Sequence, residues 1–336
     1  MVDDATAPRR VLTGVRPTGP LHLGHHAGAL GTWVRLQDEY ECFFLIADYQ
    51  VSDYADDISR VRDSVREVAL DWLAVGLDPL KSHFVVESLV PEHAELTVLL
   101  SWFVSLARLQ RNPTLKAEME DLTPGDRGVP VGFFIYPVMQ VANIVLPRAH
   151  LVPVGEDQLP HIEMTREMVR RFNRDHGRVF VEPEALVGRV PRLPGLDGRT
   201  KMSKSRGNAI YLKDDPETVE RKIMSMYTDP TRRHATDPGR VEGHAVFAYH
   251  DAFNPDPDEV GEVKARYQKG AVGDVEVKRR LVTVLDRLLT PIRDRRRYFE
   301  ERPRIATDAL REGSDVERRV AHGTMEGVRE ALRLAP

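Results

Sequence analysis

The sequence has little cysteine, no long apolar run and no strong net charge, and each shortage excludes a class of protein. Its 336 residues include one cysteine, Cys42, so neither an internal disulfide nor a cysteine-based zinc site is expected. No stretch stays apolar for the roughly 20 residues that a membrane-spanning helix needs, and no signal peptide is recognisable. The sequence therefore predicts a globular, cytoplasmic protein that does not bind membranes.

The charges are nearly balanced, with 48 basic and 52 acidic residues and a formal net charge of -4 at pH 7. This balance argues against a uniformly basic nucleic-acid binder, so an RNA partner has to meet a local patch, and no DNA partner is expected. One such patch covers residues 278–304, which contain ten Lys or Arg and four Asp or Glu. The hydrophobic fraction of 41% is enough for a substantial core, and the length favours two domains.

The segment from Val11 to His25 has the pattern of a strand, a tight glycine-bearing loop and a helix. Such a turn presents backbone N–H groups and a helix N-terminus to an anion. His22 and His25 lie three residues apart with Gly24 between them, so both imidazoles can donate hydrogen bonds to a phosphate. The alternative is that the two histidines only cap the helix.

A second donor-rich segment, residues 201–205, has the sequence Lys-Met-Ser-Lys-Ser and follows loop-forming glycines. Its two lysines and two hydroxyl groups can hold a triphosphate and stabilise charge that shifts during a reaction. Alone, such a run is usually solvated surface. Together with the histidine pair, a domain's length earlier in the chain, it indicates a nucleotide site.

Between these two segments, short apolar runs alternate with helical patterns. Residues 43–48, 83–87 and 151–154 have the composition of buried strands, and residues 58–72 have helical apolar spacing. Strand–helix–strand units with right-handed crossovers build a parallel sheet. The predicted fold class is therefore α/β, a Rossmann-like doubly wound parallel sheet with an all-helical C-terminal domain.

A predicted helix that begins near Pro137 and ends before Pro147 has one polar face. Tyr136, Gln140 and Asn143 fall at positions i, i+4 and i+7, among apolar neighbours. This stripe either faces a ligand or forms an internal hydrogen-bond network. At residues 155–158, Gly-Glu-Asp-Gln at the carboxyl end of a strand supplies acceptors for an ammonium group and a ribose.

Both donor-rich segments resemble the signatures of class I aminoacyl-tRNA synthetases: residues 22–25 match HIGH, and residues 201–205 match KMSKS letter for letter. Residues 152–158, with His161-Ile162-Glu163 and Thr165-Arg166, resemble the signature of the tryptophanyl-tRNA synthetases, and the likeness extends over nearly the whole chain. The resemblance implies an enzyme that activates tryptophan with ATP and Mg²⁺ and passes it to tRNA(Trp), releasing AMP and pyrophosphate. It also implies a homodimer, with no resident metal and no tightly bound cofactor.

The resemblance further implies a role for each matching residue. Catalysis is assigned to His22, His25, Lys201 and Lys204. The ATP site is assigned to Arg16, Pro17, Thr18, Gly24, His25, Gly155, Glu156, Asp157, Lys201, Met202, Ser203, Lys204 and Ser205. The tryptophan site is assigned to Gly14, Gln50, Tyr136, Gln140, Asn143 and Gln158.

Three domains are predicted on this basis: a catalytic domain over residues 1–206, a helical anticodon-binding domain over 207–300, and a helical segment over 301–336 that packs back on the catalytic domain. The basic helix over residues 278–297 is expected to contact tRNA phosphates, although an ordinary solvated helix has the same pattern. The arginines expected at this contact are Arg293, Arg295, Arg296 and Arg297.

The sequence departs from the family pattern at Asn143, where an aspartate usually accepts the indole N–H, and at Arg16 and Tyr49-Gln50. These departures suggest a divergent bacterial type. Three alternatives remain: a tyrosyl-specific enzyme, another nucleotidyltransferase of the superfamily such as a pantothenate-synthetase-like ligase, and a non-catalytic relative.

Overall fold

The sheet in the described part of this protein has five parallel strands. The structure, a computed structural model, describes residues 8–52, 55–121, 129–187, 193–198, 202–204, 206–228, 232, 234 and 236–334, without the side chains at positions 120, 121 and 157. The strands in these ranges are β1 Arg10–Val15, β2 Glu41–Ile46, β3 Ser82–Val86, β4 Leu151–Val154 and β5 Glu184–Val187. Their order is β3-β2-β1-β4-β5, so the direction of winding reverses between β1 and β4. The predicted doubly wound α/β fold is confirmed, and this reversal is where such folds bind ligands.

Helices cover both faces of the sheet and form the C-terminal part of the chain. The first three are α1 Leu23–His25, α2 Gly31–Leu36 and α3 Ile58–Val75, with a π-helical segment His26–Leu30 between α1 and α2. The next five are α4 Glu92–Ser101, α5 Leu106–Gln110, α6 Pro113–Asp121, α7 Val131–Val145 and α8 Leu159–His176. The last five are α9 Pro216–Met224, α10 Ala245–Phe253, α11 Pro257–Gln268, α12 Asp274–Glu300 and α13 Pro303–Ala331. No helix in the described ranges is long and apolar enough to span a bilayer.

Strand β2 is buried on both faces because its side chains alternate between two cores. Phe44 and Ile46 belong to one core, which also contains Trp72, and Phe43 and Leu45 belong to the other. A period of two along a strand directs successive side chains to opposite faces. The continuous apolar run is therefore explained by helices that pack on both sides of the sheet.

Two predicted helix ends had different outcomes. Helix α3 ends at Val75 and is capped by Gly76, whose φ of 104° is left-handed, as the glycine at this position predicts. Helix α7 starts at Val131 and not near Pro137, so that expected start is wrong and Pro137 lies inside the helix. The core retains this first turn because Phe133 is buried there, although a proline cannot donate to the carbonyl four residues earlier.

Helix α13 lies against the edge strand β3. A Cβ on Gly313 would lie 2.3 Å from the carbonyl oxygen of Phe84, so the two backbones meet without an intervening side chain. The N–H of Val86 donates to Oγ of Ser314 at 3.0 Å. The helix thus covers an edge whose backbone groups would otherwise lack strand partners. The predicted domain boundaries at 206/207 and 300/301 stay predictions.

Candidate active site

A cavity of about 350 Å³ lies at the carboxyl ends of β1 and β4, where the winding of the sheet reverses. One wall is α7, and the floor is formed by backbone from the ends of the two strands. The cavity brings together eight of the predicted site residues, namely Gly14, Arg16, Gln50, Tyr136, Gln140, Asn143, Gly155 and Gln158.

The polar face of α7 lines this cavity, because Tyr136, Gln140 and Asn143 all contribute to its wall. The hydroxyl of Tyr136 lies 3.4 Å from Nε2 of His161. Burial and the carboxylate of Glu118 raise the pKa of Tyr136, so its hydroxyl remains protonated at neutral pH. The wall therefore offers a neutral hydroxyl and side-chain amides.

Asn143 faces inward from this wall. It is 2% exposed, and its Nδ2 donates to Oε1 of Glu87 at 2.8 Å, while its Oδ1 is buried without a hydrogen bond. A carboxylate accepts and does not donate, so the direction of the amide is determined. The donor half of the Asn143 amide is used inside the protein, as the alternative of an internal network predicts, but the residue also lines the cavity, so its assignment to the tryptophan site stays a prediction.

The floor of the cavity depends on the absence of a side chain at Gly14. A Cβ at this position would lie 2.3 Å from the carbonyl oxygen of Leu45 on β2. The glycine is thus required by the packing of β1 on β2, and it also leaves backbone exposed to the cavity.

Asp48, which follows β2, accepts a hydrogen bond from the backbone N–H of Ser88 at 2.9 Å, so its carboxylate holds the turn after β3.

The two histidines of the first signature do cap α1. Nδ1 of His22 accepts from the N–H of Gly24 at 3.1 Å, and Nδ1 of His25 accepts from the N–H of His22 at 3.2 Å. Each ring therefore carries its proton on Nε2 when neutral, which makes Nε2 the donor atom. Capping and phosphate binding are compatible, because capping uses only one nitrogen of each ring.

The two signature segments lie side by side. The N–H of Leu23 donates to the carbonyl of Ile210 at 2.9 Å, and the N–H of Leu212 donates to the carbonyl of Leu21 at 3.0 Å. His22 and Tyr211 form an antiparallel bridge between these bonds. The backbone thus fastens the first signature to the segment that follows the second.

Side chains of the second signature also meet the first. Met202 is buried, and its Sδ lies 3.5 Å from the position of a Cβ on Gly24. The N–H of Ser203 donates to Oδ1 of Asn208 at 2.8 Å. Lys201 and Ser205 lie outside the described residues.

Lys204 is docked on the loop after β1. Its Nζ donates to the carbonyl of Gly19 at 2.6 Å and lies 3.3 Å from Oγ1 of Thr18. Burial lowers the pKa of Lys204 to about 8. In this position the ammonium group is largely shielded from bulk water and donates its hydrogen bonds to protein atoms.

The remaining predicted ATP residues lie on two loops. Pro17 is buried and Thr18 is half-buried in the loop after β1. Glu156 is exposed in the 3₁₀ turn Glu156–Gln158 after β4, and the side chain of Asp157 lies outside the described part. No group of three or more His, Cys, Asp or Glu side chains in the described ranges has an arrangement suited to a metal ion.

Sequence reasoning missed two buried acids behind the site. Glu87 follows β3 as Asp48 follows β2, so the same signal, a carboxylate at the carboxyl end of a strand, was available for it. Asp71 accepts from the N–H of Leu21, the residue before the first signature, at 2.6 Å, and it also pairs with Arg296 of α12. Its position in an apolar helical stripe gave no signal for this contact.

The expected contact with tRNA phosphates is wrong for Arg296 and Lys278 of α12, because both side chains are buried, and for Arg293, Arg295 and Arg297 it stays a prediction. Arg296 is 3% exposed and pairs with buried Asp71, half-buried Glu67 and exposed Glu300. Lys278 is also buried, and its Nζ donates to two backbone carbonyls. Arg293 is half-buried and pairs with Asp286, whereas Arg279, Arg287, Arg295 and Arg297 are exposed, although Arg295 also donates to the carbonyl of Ala74.

Comparison with known proteins gives consistent relatives. The model of the family described as "tRNA synthetases class I (W and Y)" matches residues 4–290. Tryptophan--tRNA ligases from Treponema pallidum (strain Nichols) and Clostridium longisporum are each 50% identical, over 97% and 96% of this chain and the same shares of theirs. The crystal structure of tryptophanyl-tRNA synthetase from Campylobacter jejuni complexed with ADP and tryptophan superposes with a TM-score of 0.82 at 32% identity, covering 96% of this chain and 99% of that one.

Proposed function

The chain belongs to the class I tRNA synthetases for tryptophan and tyrosine, and from this we propose that it activates L-tryptophan with ATP and transfers it to tRNA(Trp). Its relatives at half identity over nearly the full length are tryptophan--tRNA ligases, which confirms the prediction of that enzyme and disfavours the tyrosyl alternative. The sequence-based recognition of the family is likewise confirmed.

The observation that supports this function best is the contact between the two signature segments. The bridge between His22 and Tyr211 joins them, and Lys204 docks on the loop after β1, the strand whose end lines the pocket at the reversal of the sheet. An amino acid in the pocket and a nucleotide over the signatures would place a carboxylate near the α-phosphate. Positioning of this kind converts a bimolecular step into an effectively unimolecular one.

The proposed reaction has two steps and uses no protein nucleophile. A carboxylate oxygen of tryptophan attacks the α-phosphorus of ATP, and the bond to the leaving pyrophosphate breaks. The tryptophanyl group then passes to a hydroxyl of the terminal adenosine of the tRNA, and AMP leaves. Mg²⁺ enters as part of the ATP substrate complex, where it offsets phosphate charge.

We assign the binding of the ATP phosphates to Nε2 of His22, Nε2 of His25 and the two signature lysines, Lys201 and Lys204. The donors would stabilise the charge that develops on the pentavalent phosphorus. The other predicted ATP residues keep their assignment, namely Arg16, Pro17, Thr18, Gly24, Gly155, Glu156, Asp157, Met202, Ser203 and Ser205. The cavity residues Gly14, Gln50, Tyr136, Gln140, Asn143 and Gln158 would surround the amino acid.

A homodimer and a cytoplasmic location are part of this proposal. Both rest on the family resemblance. Sedimentation velocity on the purified chain tests the dimer, and a single species with the mass of one chain would contradict it.

Pyrophosphate exchange tests the activity directly. The protein is incubated with ATP, Mg²⁺ and labelled pyrophosphate, without tRNA, in the presence of each amino acid in turn. Tryptophan should stimulate label uptake into ATP far more than tyrosine does. Background exchange with all twenty amino acids would refute the proposal, and preferential stimulation by tyrosine would restore the tyrosyl alternative.

A further inference from the structure

Glu87 connects three parts of the pocket without touching the cavity itself. It lies in the 3₁₀ turn Glu87–Leu89 directly after β3 and is 0% exposed. Its Oε1 accepts from Nδ2 of Asn143 at 2.8 Å and lies 3.4 Å from Nε2 of Gln50, and its Oε2 accepts from the N–H of Tyr49 at 3.0 Å. One carboxylate thus ties α7 to the loop after β2.

The contacts of Glu87 are those that a carboxylate makes. The backbone N–H of Tyr49 can only donate, and the side-chain amides of Asn143 and Gln50 both present their N–H groups to Glu87. His93, which is 0% exposed, is the cation that favours the charged form, and it lies 3.2 Å from Oε1 of the equally buried Glu317 on α13. Burial raises the pKa of Glu87, and His93 opposes that shift.

A buried carboxylate also sets the direction of the side-chain amide of Gln50. Because Nε2 of Gln50 points to Glu87, its carbonyl oxygen is the end left for a ligand in the cavity that Gln50 lines. Oε1 of Gln50 accepts no hydrogen bond from the described residues. With a neutral amide in place of Glu87, either end of the Gln50 amide could face the cavity.

We propose that Glu87 is a positioning residue for substrate specificity: it holds Gln50 with its carbonyl toward the cavity, so that the pocket selects an aromatic side chain that carries an N–H donor. This inference rests on the proposed function, since the indole of tryptophan is the side chain that supplies such a donor. Asn143 contributes to the cavity wall, and its Nδ2 is the third group that fixes Glu87.

Two substrates separate this role from a structural one. Tryptophan has the ring N–H, and 3-(1-benzothiophen-3-yl)alanine has the same ring outline with sulfur in its place. In pyrophosphate exchange, Glu87→Gln should raise the KM for tryptophan roughly 5–50-fold, as expected when a buried donor loses its acceptor. The KM for the benzothiophene analogue should change less than about 2-fold by the same reasoning, and the KM for ATP should not change.

A matched control loosens the same helix at a distance from the pocket. Thr324 is buried on α13, and its Oγ1 donates to the carbonyl of Leu146 at the end of α7. Thr324→Val should lower thermal stability without changing the ratio of the two KM values. If Glu87→Gln raises both KM values equally, or if Thr324→Val alters their ratio as much, the positioning role is overturned.

A second variant keeps the proposal testable if Glu87→Gln does not fold. Gln50 is half-buried at the cavity, and Gln50→Leu removes the proposed acceptor without disturbing the core. It should lose discrimination between the two substrates to a similar extent. Retained discrimination in Gln50→Leu would overturn the proposal, whereas a wild-type protein with no tryptophan-dependent exchange would refute the proposed function instead.

Discussion

Lys204 is docked in a position that weakens its own charge. With a pKa of about 8 when docked and roughly 10.4 when released into water, it is protonated in both states below pH 8. Between these values the docked lysine is neutral while the released one is charged, so rising pH favours the docked state. If phosphate binding needs the released, charged lysine, ATP binding should weaken as pH increases through this window.

We therefore expect the KM for ATP in pyrophosphate exchange to rise from pH 8 to 9.5, by up to roughly 10-fold per pH unit. Lys204→Arg should remove this dependence, because a guanidinium remains charged throughout the range. The KM for tryptophan serves as the internal control: because the α-ammonium group of the substrate titrates in this range, it should change with pH to the same extent in the wild type and in Lys204→Arg. Identical pH profiles for the wild type and Lys204→Arg would show that another group titrates.

At the residue scale, the sequence predicted what local spacing determines. Tyr136, Gln140 and Asn143 share a helical face, so their common wall followed from the period of the helix. The direction of the Asn143 amide could not be predicted in this way, because it is set by Glu87, which lies 56 positions away in the chain. Whether a polar side chain faces the ligand or the interior depends on partners that local patterns do not contain.

At the scale of elements, the contact of α13 with β3 predicts opposite effects for two glycines of one helix. Gly313→Ala would place a Cβ 2.3 Å from the backbone of Phe84, and backbone cannot rotate away. We expect the free energy of unfolding to fall by about 1–3 kcal/mol. A Cβ on Gly323 meets nothing within 4 Å, so Gly323→Ala should instead raise it by about 0.5–1 kcal/mol through helix propensity.

Urea unfolding of the two variants measures both effects. Both variants replace glycine by alanine in α13, so the gain in helix propensity is the same and only the contact with β3 differs. Equal shifts in the unfolding midpoint would contradict the close approach between Gly313 and Phe84.

Element boundaries were predicted less well than element types. The start of α7 was placed near Pro137 because proline suits a first turn, but tertiary packing extends the helix back to Val131. Buried Phe133 outweighs the hydrogen bond that Pro137 cannot make. A sequence shows the proline but does not show the core that compensates for it.

For the whole molecule, the arginines of α12 divide into structural and exposed ones. We expect Arg279→Glu with Arg287→Glu to weaken tRNA charging and to lower its salt dependence by up to about two units of slope, since each lost phosphate contact removes roughly 0.7–0.9. The matched control is Arg311→Glu with Arg319→Glu, the same charge change on the exposed face of α13. Exchange without tRNA should be unaffected in both.

The test is to measure aminoacylation rates at roughly 50–300 mM salt, the range in which counterion release weakens binding to nucleic acid. An equal loss in both double variants would mean that overall charge, and not the α12 face, attracts the RNA. Arg296 is unsuitable for such a test, because removing one partner of a buried ion pair destabilises the fold itself.

The fold class of the whole molecule followed from the sequence because alternating periods identify strand–helix units. The sequence predicted a doubly wound parallel sheet but not the order of its strands, since two strands that pair in parallel can lie many residues apart in the chain. For the C-terminal segment, the sequence predicted only that it packs back on the catalytic domain. The position of α13 along β3 depends on Gly313 and Ser314, and neither residue carries a local signal for contact with a strand.

The same cover affects the order of events during synthesis. Val86 and Ser314, which it joins, are 228 positions apart, so at about 5–20 residues per second the edge of β3 waits roughly 10–50 s for its partner after leaving the ribosome. During that interval a nascent chain exposes an unpaired strand edge, the feature through which sheets of neighbouring chains join. On a polysome, neighbouring nascent chains would share this vulnerability until the last helix of each emerges.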